Sequence, residues 1–405
     1  MTHRWLDSPT HHAWLTSEAL RLLDFARAAR LPQGFGNLDD AGRLPRGALA
    51  ETMNTARMTH SFALAHLQGV PGCKGLVEHG VAALQGPLRD AQQGGWFAHP
   101  EGHGGAGKAA YLHAFVALAA SSAVVAGVVE AQALLREACE VIEQRFWSEE
   151  EGALLESFSR DWQQAEAYRG ANSNMHGVEA FLALADVTGD TRWLQRALRM
   201  VQRLIMAQAA GDGYRVTEHF DAHWQPLPDY NRDNPADGFR PYGTTPGHGF
   251  EWARLLLHLE AALKRAGLPA PDALLVGARG LFDSACRHAW HADGAPGLVY
   301  TLDWQNRPVV RERLHWVHAE ASATAAALLQ RTGDAQYEHW YRCFWGFIAE
   351  HFIDRSHGSW HHELDPDNLP GARIWGGKPD LYHALQALLL PRLPLAPSLA
   401  SALAL

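Results

Sequence analysis

Histidines recur along this chain at intervals of about 50 to 70 residues, close to the starts of successive helical patterns. Two of them have a glutamate three positions later, which puts both side chains on one face of a helix: His176 with Glu179, and His248 with Glu251. A neutral imidazole accepts a proton near pH 7. The recurring histidines are His60, His113, His176, His248, His318 and His383. The pattern predicts proton transfer on a bound molecule, provided that the fold brings these residues together.

Each of these histidines belongs to a repeated helical unit. Residues 172–188 are apolar nearly all round, which is typical of a buried helix, and Gly189 separates them from an amphipathic pattern over 191–208. Residues 316–352 repeat the same arrangement around another Thr-Gly-Asp turn. Six such units of about 68 residues fill the chain. We therefore expect an all-α fold, an (α/α)6 barrel of six helical hairpins that forms a single domain over residues 1–405.

Helix-start signals place the chemistry at one end of this barrel. Thr245 and Pro246 predict a helix start just before one of the histidines, Pro379 predicts another, and Asn172 and Asn174 suit the cap of a third. Parallel inner helices begin at the same mouth, and their partial positive charge keeps imidazoles neutral and favours a developing enediolate. The long loops between hairpins, which border this mouth, are of a length that is commonly functional.

Composition narrows the class of ligand. Lys and Arg number 35 against 44 Asp and Glu, so the net charge is −9, which argues against binding of nucleic acid or of an anionic membrane. The apolar stretch 114–129 is too short to span a bilayer and predicts a buried helix. Scattered cysteines and a polar amino terminus predict a cytoplasmic protein. The 24 His and 15 Trp suit a polar small-molecule site with flat apolar walls, such as a sugar site.

Several segments together resemble one protein family. They are NSNMHGVEAFLAL, RPYGTTPGHGFEWARLLLHL, WVHAEASATAAALL, the Thr-Gly-Asp turns and GKPDLYHALQALLLP. The chain is similar over essentially its whole length to the N-acylglucosamine 2-epimerase superfamily, and within it to the aldose–ketose isomerase branch of D-mannose and sulfoquinovose isomerases. The fold of that family is an (α/α)6 barrel, in agreement with the repeat count.

The resemblance implies a reaction and a set of site residues. The family moves a proton between C2 and C1 of an open-chain sugar through a cis-enediol. By their motifs, His383 corresponds to the base that takes the C2 proton, and His248 to its partner in ring opening and proton return. Arg240, in the RPYG motif, aligns less closely with a sugar-binding position. The remaining substrate-binding and supporting positions are Arg57, Tyr111, Asn172, His176, Glu251 and Glu320.

The sequence leaves several substrates and outcomes open. A neutral hexose is favoured, with mannose converted to fructose or lyxose to xylulose, because the loop before the last helix carries His361, His362 and Glu363 and lacks a glutamine-rich sulfonate site. A sulfoquinovose isomerase or a 2-epimerase acting on cellobiose or an N-acylhexosamine would use the same site. A glycoside hydrolase with two carboxylates and a non-catalytic sugar- or protein-binding module are the competing classes.

We expect neither a metal nor another cofactor. The chain has no HExxH motif, no Cys/His cluster and no phosphate-binding GxxxxGK[ST] motif. Single histidines such as His60 and His113 could equally be packed in the core of the barrel without a catalytic role. Glu179 could equally be one partner of a buried ion pair. The expected partner is a monosaccharide, and the oligomeric state is left open between monomer and homodimer.

Overall fold

Helices make up most of the backbone in residues 4–405, which are the residues that this computed structural model describes. The α-helices are α1 (Pro9–Ala26), α2 (Thr52–Leu67), α3 (Cys73–Gln85), α4 (Ala110–Val125), α5 (Ala131–Val141), α6 (Ala171–Thr188), α7 (Arg192–Val201), α8 (Pro246–Arg265), α9 (Ala273–Ala289), α10 (His315–Thr332), α11 (Ala335–Phe347), α12 (Tyr382–Leu389) and α13 (Leu399–Leu403). Three outer helices, α5, α7 and α11, end in a π-helical turn, at Ile142–Phe146, Gln202–Met206 and Ile348–Phe352.

Six helices form a closed inner ring. In order they are α2, α4, α6, α8, α10 and α12; each packs on the next, and α12 packs back on α2. The helices α3, α5, α7, α9 and α11 each pack outside the inner helix that precedes them. The inner helices are buried nearly all round, α4 from Ala110 to Ala123 with few exceptions, whereas α7 buries one stripe through Trp193 and Val201. The predicted (α/α)6 barrel is thereby confirmed.

The sixth helix pair joins the two ends of the chain. After α12 the sequence reaches Pro391, which stops the helix because proline has no backbone N–H to donate. The outer partner of α12 is α1, from the amino-terminal end. The prediction of six hairpins is therefore right for five of them, and the last pair is made by helices from opposite ends of the sequence. Helix α13 packs on α2, α4 and α6.

Glycines in left-handed conformation make the short turns on one side of the barrel. Gly189 ends α6 with φ of 72°, and Gly333 ends α10 with φ of 71°. Both belong to the Thr-Gly-Asp turns that the sequence analysis singled out. Asp334 then caps α11 by accepting a hydrogen bond from the N–H of Gln336.

Short two-stranded ribbons lie on the opposite side, in the long loops. The strands are β1 (Arg30–Leu31), β2 (Gly34–Phe35), β3 (Lys108–Ala109), β4 (Trp147–Ser148), β5 (Ala153–Leu154), β6 (Ser157–Phe158), β7 (Tyr168–Gly170), β8 (His219–Asp221), β9 (Thr301–Leu302), β10 (Pro308–Val310), β11 (Arg313–Leu314) and β12 (Glu363–Leu364). They pair antiparallel as β1–β2, β3–β6, β4–β5, β7–β8, β9–β10 and β11–β12. Strands β3, β7 and β11 lead directly into α4, α6 and α10. The ribbons, which an all-α prediction leaves out, thus hold the starts of three inner helices.

Two further predictions from composition can be checked. The apolar stretch that begins near residue 114 lies in α4, inside the barrel, and in the described part of the chain no helix is long and apolar enough to cross a bilayer. Cys73, Cys139, Cys286 and Cys343 are free thiols.

Candidate active site

The starts of the inner helices and the loops above them surround one cavity. It encloses about 800 Å³ when counted out to its open mouth. Its walls are contributed by Met53, Asn54, Arg57, Tyr111, Asn172, His176, Gly238, Phe239, His248, Glu251, Tyr300, His315, Trp316, His362, Trp375, Pro379, Asp380 and His383. Both polar groups and aromatic faces are present, as a sugar requires.

Most of the sequence-predicted site residues meet in this cavity. Seven of them line it: Arg57, Tyr111, Asn172, His176, His248, Glu251 and His383. Glu320 lies directly behind His383, where it contacts the imidazole. Arg240 lies outside the cavity walls.

His383 is oriented by a buried carboxylate. Its Nδ1 lies 2.9 Å from Oε1 of Glu320, and the other oxygen of Glu320 accepts from Nε of Arg254 at 2.8 Å. Since an ionised carboxylate only accepts hydrogen bonds, Nδ1 of His383 carries the hydrogen and Nε2 is the basic nitrogen. Burial opposes the charge of Glu320, but Arg254 and His383 outweigh it and lower the pKa of this carboxyl. The sequence analysis missed Arg254, which lies one turn after Glu251 in α8.

His248 has a matching arrangement. Its Nδ1 lies 3.0 Å from Oε1 of Glu218, a buried residue in the segment just before β8. The ring centroids of His248 and His383 lie 5.2 and 5.7 Å from that of Trp316. The two imidazoles are therefore held next to one indole, each with its Nδ1 turned to a carboxylate. Neither Glu218 nor Trp316 was among the predicted site residues.

Arg57 forms a fixed cationic wall. Its Nη2 donates to the Tyr111 hydroxyl at 2.8 Å, and its guanidinium carbon lies 4.4 Å from the centroid of the Phe115 ring. Burial works against this charge, but the nearby Tyr111 and Asp380 outweigh it, so the pKa of Arg57 is raised. Burial raises the pKa of Tyr111 to about 12, so its hydroxyl keeps its proton. These two side chains supply hydrogen-bond donors for hydroxyl groups of a ligand.

Asp380 is a cavity residue that the sequence analysis did not single out. Its Oδ2 lies 3.4 Å from Nε2 of His315, 3.8 Å from Nε2 of His383 and 3.9 Å from Nη1 of Arg57. Burial alone would raise the pKa of Asp380, but His383, His315 and Arg57 hold it well below its usual range. Its place in the KPD part of the last motif, three residues before His383, is the signal that would have identified it.

Two further buried carboxylates, Glu179 and Glu251, lie beside His176. Nδ1 of His176 is 3.5 Å from Glu179 and 3.7 Å from Glu251. Burial lowers the pKa of His176 to about 4, so the ring is neutral. Although burial would raise the pKa of Glu179, His176, Arg254 and a very short hydrogen bond from Tyr382 hold it below its usual range. Burial together with Glu320 raises the pKa of Glu251 well above its usual value.

Arg240 departs from its predicted place. Its guanidinium donates to Glu166 at 2.8 Å, lies 3.4 Å from Glu156 and stacks on Tyr168 at 4.1 Å. Its donors are thus turned to other loops because two carboxylates compete for them outside the cavity. The prediction that Arg240 presents donors to a hydroxylated ligand does not match this position.

The helix start predicted at Thr245 and Pro246 is confirmed, whereas the cap predicted at Asn172 and Asn174 is wrong, because Gly170 is the cap residue of α6. Asn174 lies inside the first turn of α6, where its amide bonds to both backbone groups of Leu154 and to the Gly170 carbonyl, and so ties the helix to β5. Thr245 occupies the cap position of α8, but its side chain makes no capping hydrogen bond. Pro246 does stand in the first turn, as predicted.

The other recurring histidines brace the loops. In His113, Nδ1 contacts the Ala109 carbonyl at 2.7 Å and Nε2 accepts from the N–H of Trp96 at 3.2 Å. His318 repeats this geometry with Leu314 and Leu298. Burial lowers the pKa of both imidazoles to about 3, which keeps them neutral acceptors. His60 faces Ser122, away from this cavity. Some of the recurring histidines therefore line the cavity, whereas others hold loops or pack in the barrel.

Aromatic residues narrow the mouth. Phe239 and Trp375 meet edge to face with centroids 5.1 Å apart, and a Cβ at Gly238 would approach the Trp375 indole to 2.8 Å. The carboxylate of Glu363 accepts from the backbone N–H groups of Arg373, Ile374 and Trp375, which fixes the loop that presents the indole. The residues His361 to Glu363 thus differ in role: His362 lines the cavity and Glu363 supports a loop.

Two groups of residues have atoms close enough together to hold a cation. His176, Glu179 and Glu251 form one, and Glu251, Glu320 and His383 the other, with ligand atoms within 4.8 Å of one another. Glu320 and Glu179 are already engaged by Arg254 and Tyr382, and the histidine nitrogens that face them are hydrogen-bond donors. We therefore treat both groups as parts of a hydrogen-bond network and not as metal ligands. That no metal or cofactor takes part stays a prediction.

The fold and this site define the class of protein. Residues 34–387 match the family profile of N-acylglucosamine 2-epimerase (GlcNAc 2-epimerase), and the chain belongs to this family. The resemblance found in its motifs is thereby confirmed.

Relatives that match nearly the whole chain are named as D-mannose isomerases. The chain is 68% identical over 401 residues, 99% of this chain and 97% of the relative, to the D-mannose isomerase of Pseudomonas cannabina pv. alisalensis. It is 53% identical over 406 residues, 99% of this chain and 98% of the relative, to that of Thermobifida fusca. A crystal structure of D-mannose isomerase superposes with a TM-score of 0.87 at 31% identity, covering 95% of this chain and 98% of the other.

Proposed function

We propose that this protein is an aldose–ketose isomerase that interconverts D-mannose and D-fructose by moving a proton between C2 and C1. The observation that carries the proposal is the pair His248 and His383, whose rings lie next to Trp316 on the wall of one cavity. Relatives named as D-mannose isomerases over essentially the whole chain support the choice of sugar.

In the proposed reaction each histidine has its own role. Nε2 of His383 takes the C2 proton of the open-chain sugar, because its Nδ1–H is held by Glu320 and leaves Nε2 as the base. The cis-enediol then receives a proton at C1 and collapses to the ketose. His248, held in the same tautomer by Glu218, opens the sugar ring by proton exchange with the ring and anomeric oxygens.

The surrounding groups hold the sugar and spread charge. Arg57 and Tyr111 present donors on one side of the cavity, and Asn172 offers an amide on the same wall. The indole of Trp316 provides a flat apolar face for the C–H groups of a sugar. A low-dielectric pocket with fixed donors favours the negative charge of an enediolate.

Product analysis by NMR in deuterated water tests the proposal. With mannose and chelator present, fructose should form and deuterium should enter its C1 position as the catalytic imidazolium exchanges with solvent. Glucose as the sole product would identify a 2-epimerase, and unchanged mannose with tight binding a non-catalytic sugar-binding protein. A reaction that requires added divalent metal would contradict the imidazole mechanism. Running lyxose, cellobiose, N-acetylmannosamine and a sulfonated hexose beside mannose defines the substrate range.

A further inference from the structure

The sugar reaction needs a second proton movement that the two histidines do not account for. When an aldose becomes a ketose, the C2 proton moves to C1, and the hydroxyl proton on O2 must also be lost while O1 gains one. This inference rests on the proposed isomerase function. It requires a group in the cavity that can donate a proton at neutral pH and accept one back.

Glu251 stands apart from the other buried carboxylates. Two other buried glutamates, Glu179 and Glu320, each have an oxygen within 4.8 Å of an oxygen of Glu251. Glu320 accepts from Arg254 and His383, and Glu179 accepts from Tyr382 and Gln386. Both oxygens of Glu251 are buried and have no hydrogen-bond partner in the described part of the chain.

The charges around Glu251 do not suffice to ionise it. Arg254 makes its close contact with Glu320 at 2.8 Å and stays 3.7 Å from Glu251. A buried ion without partners is costly, and the cost falls when the carboxyl is protonated. The groups that face Glu251 are His176 and Glu179 from α6, Glu320 from α10, Tyr382 and His383 from α12, Arg57 from α2, Tyr111 from α4 and Arg254 from its own helix.

We propose that Glu251 is a neutral carboxylic acid in the resting protein and carries the hydroxyl proton between O1 and O2 of the sugar. In the first half, His383 removes the C2 proton, the C1=O π electrons move onto O1, and O1 takes the proton of Glu251. In the second half, the Glu251 carboxylate takes the proton of O2 as C2=O forms, and the C1–C2 π pair takes the proton from the His383 imidazolium. All atoms balance, and both side chains return to their starting states.

Infrared spectroscopy tests the protonation without any substrate. The full-length protein at pH 7 should show the carbonyl stretch of a protonated, buried carboxyl, which Glu251→Gln removes. Glu260→Gln is the matched control on the same helix, because Glu260 is buried but ion-paired with Arg331 and should be ionised. Burial also raises the pKa of Glu156, so Glu156→Gln identifies its contribution to the same region of the spectrum. A spectrum that Glu251→Gln leaves unchanged would overturn the proposal.

Kinetics test the role in the reaction. Glu251→Gln should lower kcat on mannose by at least ~10²-fold, as expected for loss of an acid–base group, with KM changed by less than about threefold. A purely structural role would move KM and thermal stability as well, and a near-normal kcat would remove Glu251 from the mechanism. If this variant does not fold, a pH titration of the wild-type protein followed by infrared spectroscopy replaces it. The band of the protonated carboxyl should lose intensity as the pH rises through the raised pKa of Glu251.

The two proposals fail in distinguishable ways. A wild-type protein that leaves mannose unchanged but shows the Glu251 band would refute the isomerase function and leave the protonation intact. Fructose formation without that band would refute the role of Glu251 alone.

Discussion

Nδ1 of His383 lies 2.9 Å from Oε1 of Glu320, although 63 residues separate them and they belong to different inner helices. The contact exists because α10 and α12 are neighbours in the ring and both begin at the same mouth. It selects one tautomer of the imidazole and leaves Nε2 as the basic nitrogen.

Replacing Glu320 by Gln should lower kcat on mannose by roughly 10-fold or more with little change in KM, because the amide no longer selects the tautomer of His383. Steady-state kinetics with mannose measure this. Glu320→Asp, which keeps the charge, should recover part of the rate. Equal rates for the Gln variant and the wild type would show that the contact does not orient the base.

Loss of either cavity histidine should abolish most turnover. His383→Ala and His248→Ala should each lose at least ~10²-fold in kcat, the low end for general acid–base catalysis. His223→Ala, in an exposed loop, is the control and should leave the rate unchanged. A near-normal rate in one of the two variants would remove that histidine from the proposed mechanism.

The two arginines that sequence analysis assigned to hydroxyl binding should now behave differently. Arg57→Ala should raise KM for mannose by about 10-fold, since it removes donors from the cavity wall, with a smaller effect on kcat. Arg240→Ala should change KM less, because its guanidinium is turned to Glu166. A larger rise in KM for Arg240→Ala than for Arg57→Ala would support the sequence-based assignment of Arg240 to sugar binding.

Removing Arg254 should destabilise the fold in a pH-dependent way. Arg254→Met leaves Glu320 and Glu179 without their buried cation, which should cost roughly 3 to 5 kcal/mol of unfolding free energy at pH 8. The deficit should shrink as the pH falls, because the stranded carboxylates can take up protons. Urea unfolding at pH 8 and pH 5 measures it. Arg265→Met, an exposed ion pair on the same helix, should cost at most about 1 kcal/mol.

Asp90 should contribute to acid sensitivity. It is buried and accepts from Lys108 and Arg160, and although burial would raise its pKa, these hydrogen bonds hold it well below the usual range. A carboxyl whose pKa is lower in the folded state than in the unfolded state stabilises the protein above the unfolded-state pKa of about 4. This stabilisation is lost as the pH falls from that value towards the folded-state pKa. Asp90→Asn should therefore cost about 2 kcal/mol at pH 7 and less at pH 3. Unfolding curves beside Asp233→Asn, an exposed control, measure this difference.

The barrel could be predicted because its signals are local. Buried helices, amphipathic partners and the glycine turns at Gly189 and Gly333 each occupy one stretch of sequence, and their repetition fixes the number of units. The positions of His248 and His383 at helix starts followed from Pro246 and Pro379 in the same way.

The partners of these residues could not be predicted, because they come from other units. Glu218 stands in a segment without periodicity, and only the pairing of β7 with β8 brings it beneath His248. In the sequence Arg254 is one of several charged residues of α8, and only the packing of α10 places Glu320 beside it. The ion pair of Arg240 could not be predicted for the same reason, since its partner Glu166 lies 74 positions away.

The packing of α1 on α12 has a consequence for folding during synthesis. During synthesis α1 is made before the rest of the barrel, and its apolar side stays unpaired until α12 has emerged from the ribosome. Helix α12, which carries His383, is the last of the six inner helices to be made. A nascent chain that stops short of α12 lacks His383, the proposed base. The proposed reaction therefore requires a closed ring.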